Sequence, residues 1–185
     1  MKNDFEIKND GINVYVTFYV NSHPVGKILL TCFVVFLIGL LFYLPFTISD
    51  ENISDYIFPF LIFGIIIFVF PVRYLLWNLF GKENVIINTK SLSYNRDYGV
   101  YRTNLKTLNH KRLGTGFEWT RTFDNIEYGN LVFEKYSDKN DLPEHIYTTS
   151  VVLNFESIEK INKEISKLYE IKMDKEFGFY PISLN

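Results

Sequence analysis

The side chains best suited to metal, nucleophilic or redox chemistry are three histidines, His23, His110 and His145, and one cysteine, Cys32. None of the histidines stands at metal-ligand spacing from another His, an acid or the Cys, so they read as isolated surface or loop residues rather than a zinc site. Cys32 falls inside a long apolar run, where a neutral thiol is expected and a reactive thiolate is not. A single Cys also excludes a disulfide within the chain. Asp138, Asp141 and Glu144 share one loop but lack the glycine and closing glutamate of a calcium-binding loop. Leu113-Gly114-Thr115-Gly116-Phe117 holds a lone GxG without a strand before it and a helix after it, which reads as a hairpin turn. No GxSxG elbow, phosphate-binding loop or HExxH pair occurs. The sequence therefore predicts no catalytic residues, no cofactor and no metal.

One local charge feature points to binding instead. From Arg96 to Arg121 six bases (Arg96, Arg102, Lys106, Lys111, Arg112 and Arg121) outnumber two acids, Asp97 and Glu118. His110-Lys111-Arg112 opens a loop there, and Trp119 follows. A base close to an anionic leaflet gains about 1 kcal/mol, so Arg96, Arg102, Lys106, Lys111, Arg112, Trp119 and Arg121 form the candidate lipid or partner contact. The alternative is an ordinary charged strand face. Over all 185 residues, 19 Lys+Arg stand against 21 Asp+Glu, a net charge of −2. That balance gives no bulk basic field, and the aromatics form no stacking motif, so nucleic acid is not an expected partner.

The elements that must position this edge include two apolar runs. Ile28 to Ile48 is 21 residues without a charge, and Tyr56 to Val72 is 17, continuing past Arg73 to Phe80. A helix needs about 20 apolar residues to cross a hydrocarbon core of roughly 30 Å, and neither run has the polar stripe of a soluble core helix. A transmembrane hairpin over 27–80 is expected, with spans at about 28–48 and 56–78. Between the spans, residues 49–55 carry three acids and no base. Lys27 and Arg73 flank the opposite ends, so the positive-inside bias places both termini in the cytoplasm. Lys27, Arg73, Tyr74 and Trp77 are the expected membrane-interface anchors, with the Arg73 guanidinium extending toward the inner headgroups. No acid, Lys or His lies at membrane depth, which argues for an anchor and against a transporter or channel.

The remaining sequence is strand-like. Residues 1–26 carry a β-hairpin, Phe5–Ile7 and Asn13–Val20 around Asn9-Asp10-Gly11, expected to join the cytoplasmic sheet. Within 81–185, alternation marks strands at Asn84–Ile87, Ser91–Asn95, Val100–Leu108, Glu118–Phe123, Tyr128–Tyr136 and Ile146–Phe155. In Glu118–Phe123 the alternating residues are Trp119, Arg121 and Phe123. Ser157 then caps a helix over 157–169 whose Ile158, Ile161, Ile165 and Leu168 recur on one face. An aromatic tail, Phe177-Gly178-Phe179-Tyr180-Pro181, closes the chain.

A helical hairpin with the exit Trp77-Asn78-Leu79-Phe80-Gly81-Lys82-Glu83, the strand-turn-strand NVIINTKSLSYN and a helix after six or so short strands resemble bacterial membrane proteins with a pleckstrin-homology-like domain. The resemblance spans roughly residues 25–170. It implies a membrane α+β fold: a two-helix transmembrane hairpin plus an antiparallel sheet or barrel closed by the C-terminal helix. It also implies a bacterial inner-membrane location and a binding or scaffolding role without catalysis. Membrane lipids and a protein of unknown identity are the expected partners, with self-association compatible. The alternative expectation is an immunity or inhibitor protein that neutralises one toxin or partner at the membrane.

Overall fold

The computed structural model describes residues 4–43, 53–137 and 142–177, with side chains described at 4–43, 57–137 and 142–170. Residues 49–52 of the expected outer loop, Asp138 and Asp141, and Gly178–Pro181 of the aromatic tail lie outside them. In chain order the elements are β1 (Phe5–Asn9), β2 (Asn13–Tyr19), α1 (Pro24–Tyr43), α2 (Ile53–Ile67), a π-helical turn (Phe68–Val72) and α3 (Arg73–Phe80). They continue as β3 (Lys82–Asn88), β4 (Ser91–Asp97), β5 (Lys106–Asn109), β6 (Leu113–Phe123), β7 (Ile126–Tyr136), β8 (Pro143–Thr148), β9 (Leu153–Asn154) and α4 (Phe155–Phe177). The protein is α+β, with antiparallel sheets and two helical runs long and apolar enough to cross a membrane, Pro24–Tyr43 and Ile57–Phe80.

The chain divides into two units. One takes Met1–Tyr19, Glu83–Arg96 and Thr103–Asn185; the other takes Val20–Lys82 and Asp97–Arg102. The first holds the sheets. Strands β1 to β5 pair in sequence order in one sheet, and β6, β7 and β8 form a second, with β9 pairing to β7. Among the described residues the two sheets do not join edge to edge, so no closed barrel forms. The N-terminal strands lie in the same sheet as β3–β5.

Alternation builds these strands. Val14, Val16 and Phe18 are buried from β2, Val85 and Ile87 from β3, and Leu131 and Phe133 from β7. Turns are closed by side chains: Asp10 Oδ1 accepts from the N–H groups of Ile12 and Asn13 at 2.9 and 2.6 Å. Asn88 Oδ1 does the same for Lys90 and Ser91 at 2.8 and 2.7 Å, each an Asx-type turn. Helix α4 packs on β2 of one sheet and on β6, β7 and β9 of the other. Its Ile158, Ile161, Ile165 and Leu168 are buried, each contributing about 2 kcal/mol of apolar transfer. The helix starts earlier than the sequence suggests. Asn154, not Ser157, is the cap, its Oδ1 accepting from Ser157 N at 2.8 Å, the N3 contact of an N-cap.

Three other expectations change. The Gly114–Gly116 segment is no turn but the interior of β6, paired from Leu113↔Lys135 to Phe117↔Leu131; the missing side chain at Gly114 makes room for the Tyr136 ring. Val100–Leu108 is strand only at Lys106–Asn109, because Asp97–Arg102 folds back as a loop closed by an Asp97↔Arg102 bridge. Ile146–Phe155 breaks after Thr148, where Thr149 exchanges bonds with Leu131 (Thr149 N to Leu131 O and Leu131 N to Thr149 Oγ1, both 3.0 Å).

In the second unit only Val34 of α1 is buried, Ile67 is buried in α2, and Gly64 lies against Leu41. The rest of both helical runs exposes Leu, Ile, Val and Phe around its circumference. Pro71 sits inside the π-helical turn, the local adjustment expected where a proline removes a backbone donor.

Candidate functional site: the β6–β7 arm and a buried carboxylate

The longest strands, β6 and β7, have 11 residues each and outrun the core. Their turn is Asp124-Asn125, both at positive φ (50° and 61°), the two-residue I′ geometry that Asp and Asn tolerate and that matches strand twist. From Glu118 through Glu127 every residue is exposed. At about 3.3 Å per residue, this arm extends roughly 15 Å past the last buried pair. It carries Trp119, 60% exposed, with Phe123 and Ile126 also exposed.

A bulge sorts its faces. Trp119 pairs with Gly129 but Arg121 pairs with Tyr128, leaving Thr120 over. The extra residue shifts the alternation by one. Trp119 therefore shares a face with Thr122, and its Nε1 donates to Thr122 Oγ1 at 3.3 Å. Arg121, Phe123, Ile126 and Tyr128 take the other face, with the Arg121 guanidinium 5.8 Å from the Tyr128 ring centroid. The expected run of Trp119, Arg121 and Phe123 along one face is thus split. Gly129 is required at the bulge, since a Cβ there would meet Glu118 O at 2.3 Å and the Phe117 ring at 2.5 Å.

The six bases do not form one edge. Arg112 sits at the foot of the arm with its guanidinium 5.5 Å from the Tyr136 ring centroid, and Lys111 precedes it. Arg121 lies nine residues on, about 30 Å along an extended strand. Lys106 is on β5 opposite Tyr94. Arg96 points elsewhere, donating from Nη2 to Ser150 Oγ at 2.5 Å. Arg102 belongs to the other unit, paired to Asp97 at 2.6 Å. The excess of bases over acids between Arg96 and Arg121 had grouped these residues as one edge, but they sit on β4, in a loop, on β5, just before β6 and near its far end.

The expected anchors all lie in the helical unit. Lys27 is in the first turns of α1, Tyr74 is exposed on α3 and Trp77 is half-buried. Arg73 does not extend freely toward headgroups; its Nε and Nη2 donate to the Tyr98 hydroxyl at 3.1 and 2.9 Å.

The sequence reading passed over Glu83. It is wholly buried at the start of β3. Its Oε1 accepts from the Tyr147 hydroxyl and its Oε2 from Ser150 N at 2.8 Å. Burial raises its pKa above the ordinary carboxyl value, and the Tyr147 bond, the Ser150 N–H and the Arg96 charge oppose that rise without cancelling it. The Tyr147 phenol is pushed well above the usual range by burial and by Glu83, and its ring stacks on Tyr94 at 3.8 Å. The signal was present: Glu83, Val85 and Ile87 share one period-two face, which places an acid in line with core residues.

His110 is buried too, at 8% exposure, and not a surface histidine. Neither ring nitrogen has a hydrogen-bond partner. Among the described residues no three His, Cys, Asp or Glu side chains cluster as metal ligands. No protein-family model matches the chain, and no curated protein matches it in sequence.

Proposed function

We propose that this protein is a non-catalytic, membrane-anchored binding module. Its two apolar helical runs hold a pleckstrin-homology-like β-domain at the cytoplasmic face of a bacterial inner membrane, and the β6–β7 arm engages a protein partner. The observation that carries this reading is the arm itself: ten consecutive exposed residues, Glu118–Glu127, that include Trp119, Phe123 and Ile126. Large apolar side chains on a solvated ribbon gain nothing for the fold, whereas Trp in particular is favoured as an interface anchor. Glu118, Asp124 and Glu127 against Arg121 make the arm net acidic, which suits a partner with an apolar pocket rimmed by bases and disfavours an anionic leaflet at this point. The bases at the arm's foot, Lys111 and Arg112, supply a separate contact.

The test is purification of the full-length protein from native membranes in mild detergent, with bound proteins and lipids identified by mass spectrometry. A stoichiometric protein partner that is lost from the Trp119→Ala/Phe123→Ala variant is the expected result. Truncating one such anchor costs about 2 kcal/mol, roughly thirtyfold in affinity. A partner retained at wild-type level by that variant removes the arm from the reading. A partner lost instead from Lys111→Glu/Arg112→Glu moves the contact to the foot. The immunity reading uses the same arm and is decided by whether the captured partner is a toxin.

A further inference from the structure

We propose that the loop Asp97–Arg102 is a membrane-interface wedge that seats in the headgroup layer beside the end of α3, with Val100 and Tyr101 entering lipid and Arg102 facing lipid phosphate. The inference rests on the membrane reading above and adds a second, non-helical contact with the bilayer.

The loop is fixed along the last two turns of the helical run. The Tyr98 side chain is buried; its hydroxyl accepts from Arg73, and its ring lies 5.2 Å from Trp77 and 4.7 Å from Tyr101, stacked on the latter. Gly99, at φ +85°, presses against Phe80, where a Cβ would meet the Phe80 Cβ at 2.7 Å. Only glycine permits both that conformation and that approach. The base of the loop is closed by Asp97, which accepts from Gly99 N at 2.8 Å and pairs with Arg102.

Depth follows from length. The run Ile57–Phe80 has 24 residues, about 36 Å of helix, against a hydrocarbon core of roughly 30 Å. The three acids within residues 49–55 of the sequence mark one membrane surface, so the core ends near Trp77, and Arg73 lies about one turn inside it. A charge at that depth needs a partner, and Tyr98 supplies it. A loop whose Tyr98 hydroxyl meets Arg73 and whose Gly99 meets Phe80 therefore occupies the interfacial layer. Its outward side chains suit that layer: Val100 is 76% exposed, and Tyr101, Phe80 and Tyr74 are exposed as well. Aromatic rings with a polar tip concentrate at this depth. Arg73, Lys82 and Arg102 against Asp97 give the cluster a positive balance that complements anionic headgroups.

Cys32, the one cysteine of the chain and exposed on α1, provides an internal reference for spin labelling. Full-length protein in vesicles of phosphatidylcholine and phosphatidylglycerol is labelled at Cys32, and at Val100→Cys or Lys160→Cys in a Cys32→Ser background. Accessibility to oxygen and to a water-soluble nickel complex is then read. The expected result is a Cys32 label reached by oxygen alone, a Lys160→Cys label reached freely by nickel, and a Val100→Cys label with nickel access reduced several-fold from Lys160→Cys. A Val100→Cys label as open to nickel as Lys160→Cys, with Cys32 still shielded, overturns the wedge and leaves the anchor standing. A Cys32 label open to nickel overturns the anchor and the wedge together.

Discussion

Each unit places a charged side chain on an otherwise apolar face, where a tyrosine hydroxyl meets it. In the sheet unit Glu83 stands in line with Val85 and Ile87 and accepts from Tyr147. In the helical unit Arg73 interrupts the second apolar run and donates to Tyr98. The tyrosine is donor in one case and acceptor in the other, which a phenol can be and a lysine or carboxylate cannot. The difference lies in the number of partners. Glu83 has Tyr147, the Ser150 N–H and the Arg96 charge, and is wholly enclosed. Among the described residues Arg73 has the Tyr98 hydroxyl as its side-chain hydrogen-bond partner, supplemented by the ring face at 5.1 Å. A closed protein interior surrounds its charge with fixed dipoles; a helix end leaves part of that work to its solvent.

The contrast breaks most readily at Glu83. Glu83→Ala leaves the Tyr147 hydroxyl and the Ser150 N–H without their acceptor at once, and should cost about 3 kcal/mol, read as a drop in the thermal unfolding midpoint of the detergent-solubilised protein. Glu83→Gln keeps an acceptor and should lose less than half of that at neutral pH. Because burial raises the folded-state pKa, the folded protein binds more protons than the unfolded one at pH values just above the ordinary 4.5. The contribution of Glu83 is therefore fully present below that value and is lost as pH rises through the folded pKa. Glu83→Gln should remove that slope. An unchanged slope would assign it to other groups.

A smaller effect is expected at the helical end. Tyr98→Phe removes the hydroxyl that accepts from Arg73 while keeping the ring, and should lower the unfolding midpoint by an amount equivalent to about 1 kcal/mol. Arg73→Leu removes the charge as well, so the double variant should be no less stable than Tyr98→Phe alone. If Tyr98→Phe is silent in both backgrounds, Arg73 draws its solvation from elsewhere.

These two sites also mark where the sequence could be read. The apolar helical runs, the alternation of β2 and the face of α4 were legible because each is a local period: 21 uncharged residues, Val14-Val16-Phe18, and Ile158-Ile161-Ile165-Leu168. Glu83 was visible in principle on the Val85–Ile87 face, but the adjoining exit from the helix drew it into a membrane-boundary motif. The arm's faces were not legible. A single extra residue at Thr120 reverses Trp119 relative to Arg121, and nothing in the alternation of Trp119, Arg121 and Phe123 announces it. Nor was the loop at Asp97–Arg102: Tyr98 and Tyr101 fit a strand pattern as well as they fit a stack against Trp77, and only the fold selects between them.

His110 extends the comparison to a buried polar group whose ring has only the Ser91 backbone as a polar neighbour, too poorly placed for a full hydrogen bond. It is buried in the sheet unit, and neither ring nitrogen finds a hydrogen bond, whereas the buried Glu83 carboxylate is met at both oxygens. Burial lowers the His110 pKa below its ordinary 6.5, so the folded protein binds fewer protons there than the unfolded chain. Its contribution is present above pH 6.5 and is lost as pH falls through the folded pKa, the opposite sense to Glu83. His110→Leu deletes both unpaired nitrogens while keeping an apolar side chain in the space. It should be neutral to slightly stabilising at pH 7.5, by up to about 1 kcal/mol, and should gain relative to the wild type as pH falls toward 5.5. Unfolding midpoints at the two pH values measure both. A His110→Leu variant that is markedly destabilised at pH 7.5 would mean that the ring is held by a bond, and that this buried polar group, like Glu83 and Arg73, is partnered after all.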